Sequence, residues 1–395
     1  MVAIVTDVHY RMSLALIRDL AQMGVEVITC EGERCRGSAV SPALGGLSRY
    51  RARHVWLPDG DMDALLALCR EVGEEKKCRP ALLPVGAATL AALAEDRARF
   101  DEVCGLHIPT AEQLALLNDK ERVAALAEEL DIPVPESFTR REGEEPGAFA
   151  RRLPLPCVVK PVCGEKLGLT AADRYVAAST AEAAEEAFRR FAALSGEDPV
   201  VQRLLPGGGW GCSVLAREGR VVTSICHRRI REYPVTGGPS SCCTCVDRPA
   251  LRACVKRMVE HIGYSGLAMF EFKEDEDGTP RLLEVNPRIW GTFPLTRVTD
   301  SGMSYLWCVL AWDAGNPGAL VPLPIPLPPR RKRMIFAASD LMASLGYLRR
   351  GRPWMALGAL LDLLNPGVRD GVLEWDDPRP ALAYVRSLLT KERRK

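Results

Sequence analysis

The sequence predicts a mixed fold in which α/β and α+β regions follow one another along 395 residues. Three observations carry this prediction. The chain opens with a strand–helix–strand pattern (2–30), its middle holds strand pairs joined by Gly-containing turns (211–286), and its end is mostly helical (339–391). Alternating strands and helices are typical of parallel sheets, whereas strands joined by tight turns are typical of antiparallel hairpins.

The composition supports a globular protein and excludes some partners. Hydrophobic residues make up 47% of the chain and charged residues 26%, which allows a substantial core. A net charge of +1 offers no general attraction to nucleic acid, so no nucleic-acid partner is expected. Because no basic segment precedes an apolar leader and no uncharged apolar run reaches the ~18 residues of a spanning helix, we expect a cytoplasmic protein.

The 14 cysteines are scattered singly, many of them within apolar segments. In a cytosolic protein this distribution favours small buried thiols. The run Cys242-Cys243-Thr244-Cys245 contains a C-x-x-C spacing, but no second pair with zinc-ligand spacing accompanies it. Structural thiols are the main interpretation, with a metal or redox site as the alternative.

The first 107 residues read as one small α/β domain. An amphipathic helix at 13–23 separates predicted strands at 2–5 and 25–30. No G-x-G-x-x-G follows the first strand, so a dinucleotide fingerprint is absent. His9 follows that strand closely and either faces solvent or contacts a ligand.

The most informative stretch is a predicted β-hairpin at 266–286. An apolar strand containing Glu271 runs into the turn DEDGTP (275–280), whose Asp-Gly pair supplies the positive φ of a reversal. Glu284 and Asn286 leave one face of the returning strand because they are two residues apart. The three side chains together suit a hard cation such as Mg²⁺ at a phosphate; solvated acids on an outer face are the alternative.

Glu271, followed by Glu284 and then by Asn286 in LLEVNPR, resembles the metal-binding hairpin of the ATP-grasp superfamily. The dipeptide Asp119-Lys120, with the helix and the DIPVP run after it, is similar to the segment that introduces the nucleotide-binding domain of these enzymes. The resemblance implies an ATP-grasp fold with three parts: a Rossmann-like preATP-grasp domain (1–107), a two-lobed ATP-grasp domain (108–321), and a Pro-rich linker with a mostly helical C-terminal extension (322–395).

The resemblance also implies phosphate contacts. Lys160, in the predicted strand 155–161, matches the lysine that contacts the α-phosphate side of ATP, although snorkelling to solvent is the alternative for a strand lysine. The segment 162–170 matches the glycine loop over the phosphates, because glycine lets backbone N–H groups point at phosphate oxygens. Lys166 in that loop is either a second phosphate contact or a solvated side chain.

The predicted strand 199–205 matches the hinge that binds the adenine edge. By this resemblance the adenine contacts are Gln202, Leu204 and Leu205. Arg203 stands where a glutamate is usual, and glycines follow where an acid normally binds the ribose.

A basic stretch, HRRIREYPVTGGPSS, begins at His227. Alternation along a strand places His227, Arg229 and Arg231 on one face and Arg228 on the other. Such a row of like charges suits an anion; a solvated edge strand with gatekeeper charges is the alternative. The stretch resembles carboxylate–amine ligases of the superfamily, which implies that Arg229, Arg231 and Arg288 stabilise an acyl phosphate.

The C-terminal region begins with a stiff Pro-rich linker at 322–329. A strand is predicted at 333–337, and helices at 339–348, 353–364 and 378–391. Because 341–364 mixes Leu, aromatic residues and Arg, it suits either a membrane surface or docking onto its own domain or the second subunit of a homodimer.

The implied reaction is ATP + carboxylate → acyl phosphate + ADP, followed by amine attack to give an amide. Two Mg²⁺ ions, or Mn²⁺ in their place, would offset the charge of the γ-phosphate so that an anionic carboxylate can approach in line. Two alternatives stay open: a degenerate ATP-grasp protein that binds nucleotide as a regulatory or scaffold module, and a kinase-like phosphotransferase. The sequence specifies neither the carboxylate nor the amine.

Overall fold

The computed structural model describes residues 1–162, 167, 169, 173, 175–235, 237–318 and 332–392. Three β-sheets organise these residues: a four-stranded parallel sheet near the N-terminus, a four-stranded antiparallel sheet in the middle, and a seven-stranded sheet that takes in the C-terminal strands. The predicted mixture of α/β and α+β structure is therefore confirmed.

Both faces of the N-terminal sheet are buried. Val2 and Ile4 enter one hydrophobic cluster, whereas Ala3 and Val5 enter another, as side-chain alternation along a strand requires. The elements are β1 (Val2–Val5), α1 (Met12–Gln22), β2 (Glu26–Gly32), α2 (Leu44–Leu47), β3 (Arg53–Leu57), α3 (Met62–Lys76), β4 (Ala81–Leu83), α4 (Ala87–Glu95) and α5 (Arg97–Asp101), with strand order β3-β2-β1-β4.

Two capped helices lead from this sheet to the site. Helix α6 (Ala111–Leu117) begins with a capping box, in which Thr110 and Gln113 bond each other's backbone N–H groups. Helix α7 (Lys120–Glu129) is capped by Asp119, whose carboxylate accepts hydrogen bonds from two backbone N–H groups of the first turn. The cap fixes Lys120 as the first residue of α7.

The small antiparallel sheet is covered by two helices. Phe149 of one helix and Phe188 of the other belong to the hydrophobic cluster on this sheet, and their rings contact each other edge to face with centroids 5.4 Å apart. The elements are β5 (Ser137–Phe138), α8 (Pro146–Arg151), β6 (Cys157–Lys160), β7 (Val176–Ala178), α9 (Ala181–Ser195) and β8 (Val200–Arg203), in the order β5-β8-β6-β7.

The large sheet joins the middle of the chain to its C-terminal region in the order β13-β12-β9-β10-β11-β14-β15. The sequence predicted β14 but missed β15, which is only three residues long. The division at 107 and 321 remains a prediction. The elements are β9 (Gly209–Arg217), β10 (Arg220–Glu232), β11 (Ser240–Val246), α10 (Pro249–His261), β12 (Gly266–Glu274), β13 (Pro280–Asn286), α11 (Leu295–Val298), α12 (Met303–Gly315), β14 (Arg333–Ile335), α13 (Ala337–Arg349), α14 (Pro353–Leu364), β15 (Val368–Asp370) and α15 (Pro378–Glu392).

A bulge in β10 corrects one predicted site residue. Arg229 pairs with Cys243 of β11 but Arg231 pairs with the adjacent Cys242, so two steps along β10 match one step along its partner. Because partner residues share a face and neighbours alternate, the bulge turns the two arginines to opposite faces. The prediction that Arg231 lies beside Arg229 is wrong.

Arg231 instead holds the C-terminal helices against β10. Its guanidinium is 3% exposed and donates to Asp340 at 2.7–3.0 Å and to Asp362 at 2.6 Å. A second buried tie joins Arg18 of α1 to Asp377, with Nε 3.0 Å from the carboxylate. These ion pairs fix the C-terminal region on the other two parts of the fold.

Two expectations about the whole chain can be compared with the described residues. Every cysteine among them is free, and all but Cys78 and Cys245 are buried, in agreement with structural thiols. Within the same residues, no helix combines the length and the apolar character needed to cross a membrane.

We predict that Arg231→Ala destabilises the protein instead of acting directly on turnover. Removing the guanidinium takes away the ion-pair partner of buried Asp340 and one of the two partners of buried Asp362, which also contacts Arg333; we expect the free energy of unfolding to fall by about 3–5 kcal/mol. The matched control is Arg189→Ala, which removes an exposed i,i+4 pair with Glu185 and costs less than about 1 kcal/mol. Chemical denaturation of both variants measures the difference. Wild-type stability of Arg231→Ala would contradict the structural role.

Candidate active site

The predicted hairpin forms and brings its three oxygen-bearing side chains together. Glu271 of β12 pairs directly with Glu284 of β13, and Asn286 follows two residues later on the same face. The Asn286 amide nitrogen lies 3.4 Å from a carboxylate oxygen of each glutamate. The two carboxylates therefore converge on one amide in a partly buried position.

Cationic groups surround this hairpin cluster of Glu271, Glu284 and Asn286. Arg229 of β10 forms an ion pair with Glu271, and Arg288 lies close enough to lower the pKa of the same carboxyl. On the other side, the Lys120 ammonium lies 3.4 Å from Glu284. Charges contributed by β10, by α7 and by the segment after β13 thus meet at one pair of acids.

The two glutamates differ in their electrostatic surroundings. Burial raises the pKa of Glu271, and the nearby Glu284 charge adds to this rise against the opposing effect of Arg229. Burial also acts to raise the pKa of Glu284, but Lys120 and Lys160 outweigh it and lower that pKa below its usual value. The repulsion between the two carboxylates therefore disfavours the charged form of Glu271 more than that of Glu284. An added cation would stabilise the charged form of Glu271 most.

Lys160 turns into the protein from the small sheet. Burial, together with the neighbouring Lys120 charge, lowers the pKa of its ammonium to about 8, while Glu284 acts in the opposite direction. The ammonium is thus near enough to Glu284 for the two charges to interact, which favours the predicted phosphate contact over snorkelling.

Lys120 is a site residue that the sequence reasoning did not name. The Asp119-Lys120 dipeptide was noticed as a marker of the domain, and this was the available signal. The cap at Asp119 sets the start of α7, which packs on β13, and so delivers the lysine to Glu284. No periodicity in the sequence places these two residues together, because 164 positions separate them.

Of the predicted adenine contacts, Gln202 lies in β8 of the small sheet, and Leu204 and Leu205 follow directly after it. The Leu204 N–H donates to the Pro156 carbonyl at 3.2 Å, and the Gln202 amide donates to Ser137 Oγ at 3.1 Å. The Leu205 side chain is buried. These donors are thus engaged within the sheet in this structure, and adenine binding by them remains a prediction. Lys166 lies outside the described residues.

His227 is a buried, uncharged residue of β10, two positions before Arg229. Its ring is 1% exposed, and its Nε2 lies 3.3 Å from Thr292 Oγ1. Burial and the Arg229 charge lower its pKa to about 3, so the ring is neutral near pH 7. A side chain at Gly211 would meet the ring, since a Cβ there would lie 2.2 Å from it. His227 is therefore buried against Gly211 and adds no charge to the site.

A second group with metal-binding side chains lies at the N-terminal sheet, where His9, Glu31 and Cys35 have ligand atoms within 4.8 Å of one another. His9 Nδ1 is 2.8 Å from Glu31, so the ring contacts a carboxylate instead of facing solvent. Burial, and secondarily Glu31, raises the pKa of the Cys35 thiol. In this arrangement the neutral thiol of Cys35 is the favoured form.

Comparison with known proteins relates part of the chain to a described family. Residues 195–323 match a family model described as ATP-grasp in the biosynthetic pathway with Ter operon. The matched segment contains β8 to β13 and therefore the whole hairpin cluster, Arg229 and Arg288.

Two curated relatives each cover less than half of the chain. The carbamoyl phosphate synthase large chain of Xylella fastidiosa (strain 9a5c) is 30% identical over 199 residues, which are 46% of this chain and 18% of the synthase. A D-alanine–D-alanine ligase of Neisseria meningitidis serogroup B is 26% identical over 178 residues, 42% of this chain and 56% of the ligase. The chain thus spans about a fifth of the first relative's length and about half of the second's.

A solved structure supports the fold over a larger share of the chain. The L-amino acid ligase of Bacillus licheniformis superimposes with a TM-score of 0.55 at 18% identity, covering 79% of this chain and 73% of the ligase. At this identity the likeness concerns the fold alone. The family match over residues 195–323, the two relatives and the shared fold agree with the resemblance to the ATP-grasp superfamily found in the sequence.

Proposed function

We propose that the protein is a Mg²⁺-dependent ligase that uses ATP to activate a carboxylate as an acyl phosphate and then joins it to an amine. The observation that carries this proposal is the hairpin cluster with its cations: two carboxylates and one amide surrounded by Arg229, Lys120 and Lys160. Acids in the centre suit a divalent cation, and bases around them suit the phosphates that such a cation accompanies.

The chemistry of the cluster fits Mg²⁺. Carboxylate and amide oxygens are the donors that this ion prefers, and Glu271, Glu284 and Asn286 supply them. A 180° turn of the Asn286 amide would present its oxygen where the nitrogen now meets both carboxylates. When bound, Mg²⁺ would offset the negative charge of the γ-phosphate.

The remaining residues would orient two anions that otherwise repel. Arg229 and Arg288 stand beside Glu271 and can use planar, multiply donating guanidinium groups on the transferred phosphoryl group or the substrate carboxylate. Lys160, whose charge interacts with that of Glu284, would contact phosphate oxygens from the small sheet. This division assigns positioning and charge stabilisation to the protein, which is what phosphoryl transfer mainly needs.

The D-alanine–D-alanine ligase and L-amino acid ligase relatives support the amide-forming version of the reaction. The nucleotide-binding module without catalysis is the second candidate, because Arg203 replaces the usual hinge glutamate. A kinase-like phosphotransferase is the third. All three share nucleotide binding and differ in what becomes of the γ-phosphate.

One assay separates the three candidates. The protein is incubated with ATP, Mg²⁺ and a panel of carboxylate and amine pairs, amino acids first, while ADP and phosphate are measured. We expect substrate-dependent release of both, and a hydroxamate when hydroxylamine replaces the amine. Bound nucleotide without ADP release across the panel would support the binding module, and a stable phosphorylated product would support the phosphotransferase.

We predict that Glu284→Gln lowers the rate of metal-dependent ADP release at least about 100-fold, because the neutral amide no longer offsets the charge of the cation in the site. Glu276→Gln is the matched control, since it makes the same change at an exposed turn of the same hairpin. The melting temperatures of both variants confirm folding. Equal activity of Glu284→Gln and Glu276→Gln would exclude the hairpin cluster as the metal site.

We predict that ATP affinity falls as the pH rises above 8. Lys160 has a depressed pKa of about 8 in the free protein, and its cationic form, which prevails below that value, is the one that binds phosphate. At pH 9 only about a tenth of the lysine is charged, so affinity falls about tenfold relative to pH 7.

Calorimetric titration with ATP at both pH values measures this change. Lys160→Met, similar in length but without charge, should bind weakly at both and lose the pH dependence. The same tenfold loss in Lys160→Met would assign the titration to another group.

A further inference from the structure

The C-terminal helical pair buries its two acids among small and aromatic residues and exposes its leucines. Helices α13 and α14 pack against each other across the short connection 350–352. Their buried residues include Asp340, Ser344 and Asp362. Their exposed residues include Leu345 at 60%, Trp354 at 64% and Leu364 at 83%. A helix that packs only on its own protein shows the opposite distribution.

The exposed apolar residues form continuous stripes along both helices. Most of them recur at intervals of three or four positions, which is the spacing of one helical face, although Leu360 and Leu361 are adjacent and Leu363 is also exposed. We call this set the outward face; it consists of Leu341, Leu345 and Leu348 on α13 and Trp354, Leu357, Leu360, Leu361 and Leu364 on α14. Isolated exposed leucines are ordinary, whereas contiguous ones mark an interaction surface.

The charges of the pair are as unevenly distributed as its apolar residues. Between positions 337 and 364 the sequence has two carboxylates, Asp340 and Asp362, and both are buried on Arg231. The basic residues of the same stretch, Arg349, Arg350 and Arg352, are all exposed at the connection. The outer surface of the pair therefore offers leucine, tryptophan and arginine, with no carboxylate among them.

We propose that the outward face rests on the surface of an anionic lipid bilayer. Leucines at the depth of the acyl boundary, with arginines at the level of phosphate headgroups, are the pattern of interfacial helices. Trp354 stands two residues after Arg352, and tryptophan is enriched at this boundary. The helices lie on the membrane and do not cross it, since α13 and α14 are only 13 and 12 residues long.

Charge favours lipid over a second copy of the chain. In a two-fold dimer the same patch contributes both sides, so arginines of one copy meet a surface that carries no exposed acid of its own helical pair. Anionic headgroups supply the missing negative charge, at about 1 kcal/mol for each arginine near the surface. This surface is independent of the proposed ligase chemistry.

Co-sedimentation of the full chain with vesicles tests the proposal. We expect the protein to bind phosphatidylcholine vesicles that contain about 30% phosphatidylglycerol. Binding to phosphatidylcholine alone should be at least about tenfold weaker, and added salt should weaken binding to the anionic vesicles. The double variant Leu345→Glu/Leu361→Glu should lose at least about tenfold in binding to the anionic vesicles. Leu194→Glu, at an exposed leucine of α9, should bind like the wild type.

The substituted positions are exposed, so folding is expected to survive and is checked by the melting temperature. A second variant, Arg350→Glu/Arg352→Glu, should remove the preference for anionic vesicles. The proposal is overturned if the wild type binds no vesicle, if it binds both kinds equally, or if Leu345→Glu/Leu361→Glu binds as tightly as the wild type. It is also overturned if light scattering shows that the wild type is a dimer, that Leu345→Glu/Leu361→Glu dissociates this dimer, and that anionic vesicles do not.

Discussion

The structure depends on holding Glu271 and Glu284 side by side in a partly buried hairpin. Two carboxylates in such a place repel each other and lose water, so their charge must be offset. Arg229, Lys120 and Lys160 provide the offset, and they come from β10, α7 and β6, three separate elements. The position of the small sheet over the large one is thus tied to the same charges that make the site suitable for a metal and a polyphosphate.

The parts of this arrangement that are local in sequence could be predicted from it. The DEDGTP turn set the hairpin register, and the spacing of Glu284 and Asn286 set their common face. The approach of Lys120 and Lys160 could not be predicted, because it is created by packing between distant segments. The position of Arg231 was predicted wrongly, because alternation assumes an unbroken strand and one inserted residue reverses it.

The C-terminal region shows a related limit. Its three helices follow from the sequence pattern, but periodicity identifies a polar and an apolar face without saying which one is buried. The answer came from Arg231, which lies buried on β10 and needs Asp340 and Asp362 as partners. By drawing the acids inward, this arginine turns the leucines outward. One residue that appeared catalytic from its neighbours in sequence thereby determines which surface the protein presents.

The most direct test of the account is a crystal structure with Mn²⁺ and a non-hydrolysable ATP analogue, in which anomalous scattering locates the metal. The account predicts metal at about 2.1 Å from oxygens of Glu271, Glu284 and Asn286, between these side chains and the terminal phosphates, with Lys160 on the phosphates. Metal and triphosphate bound elsewhere, with Glu271 still paired only to Arg229, would contradict it.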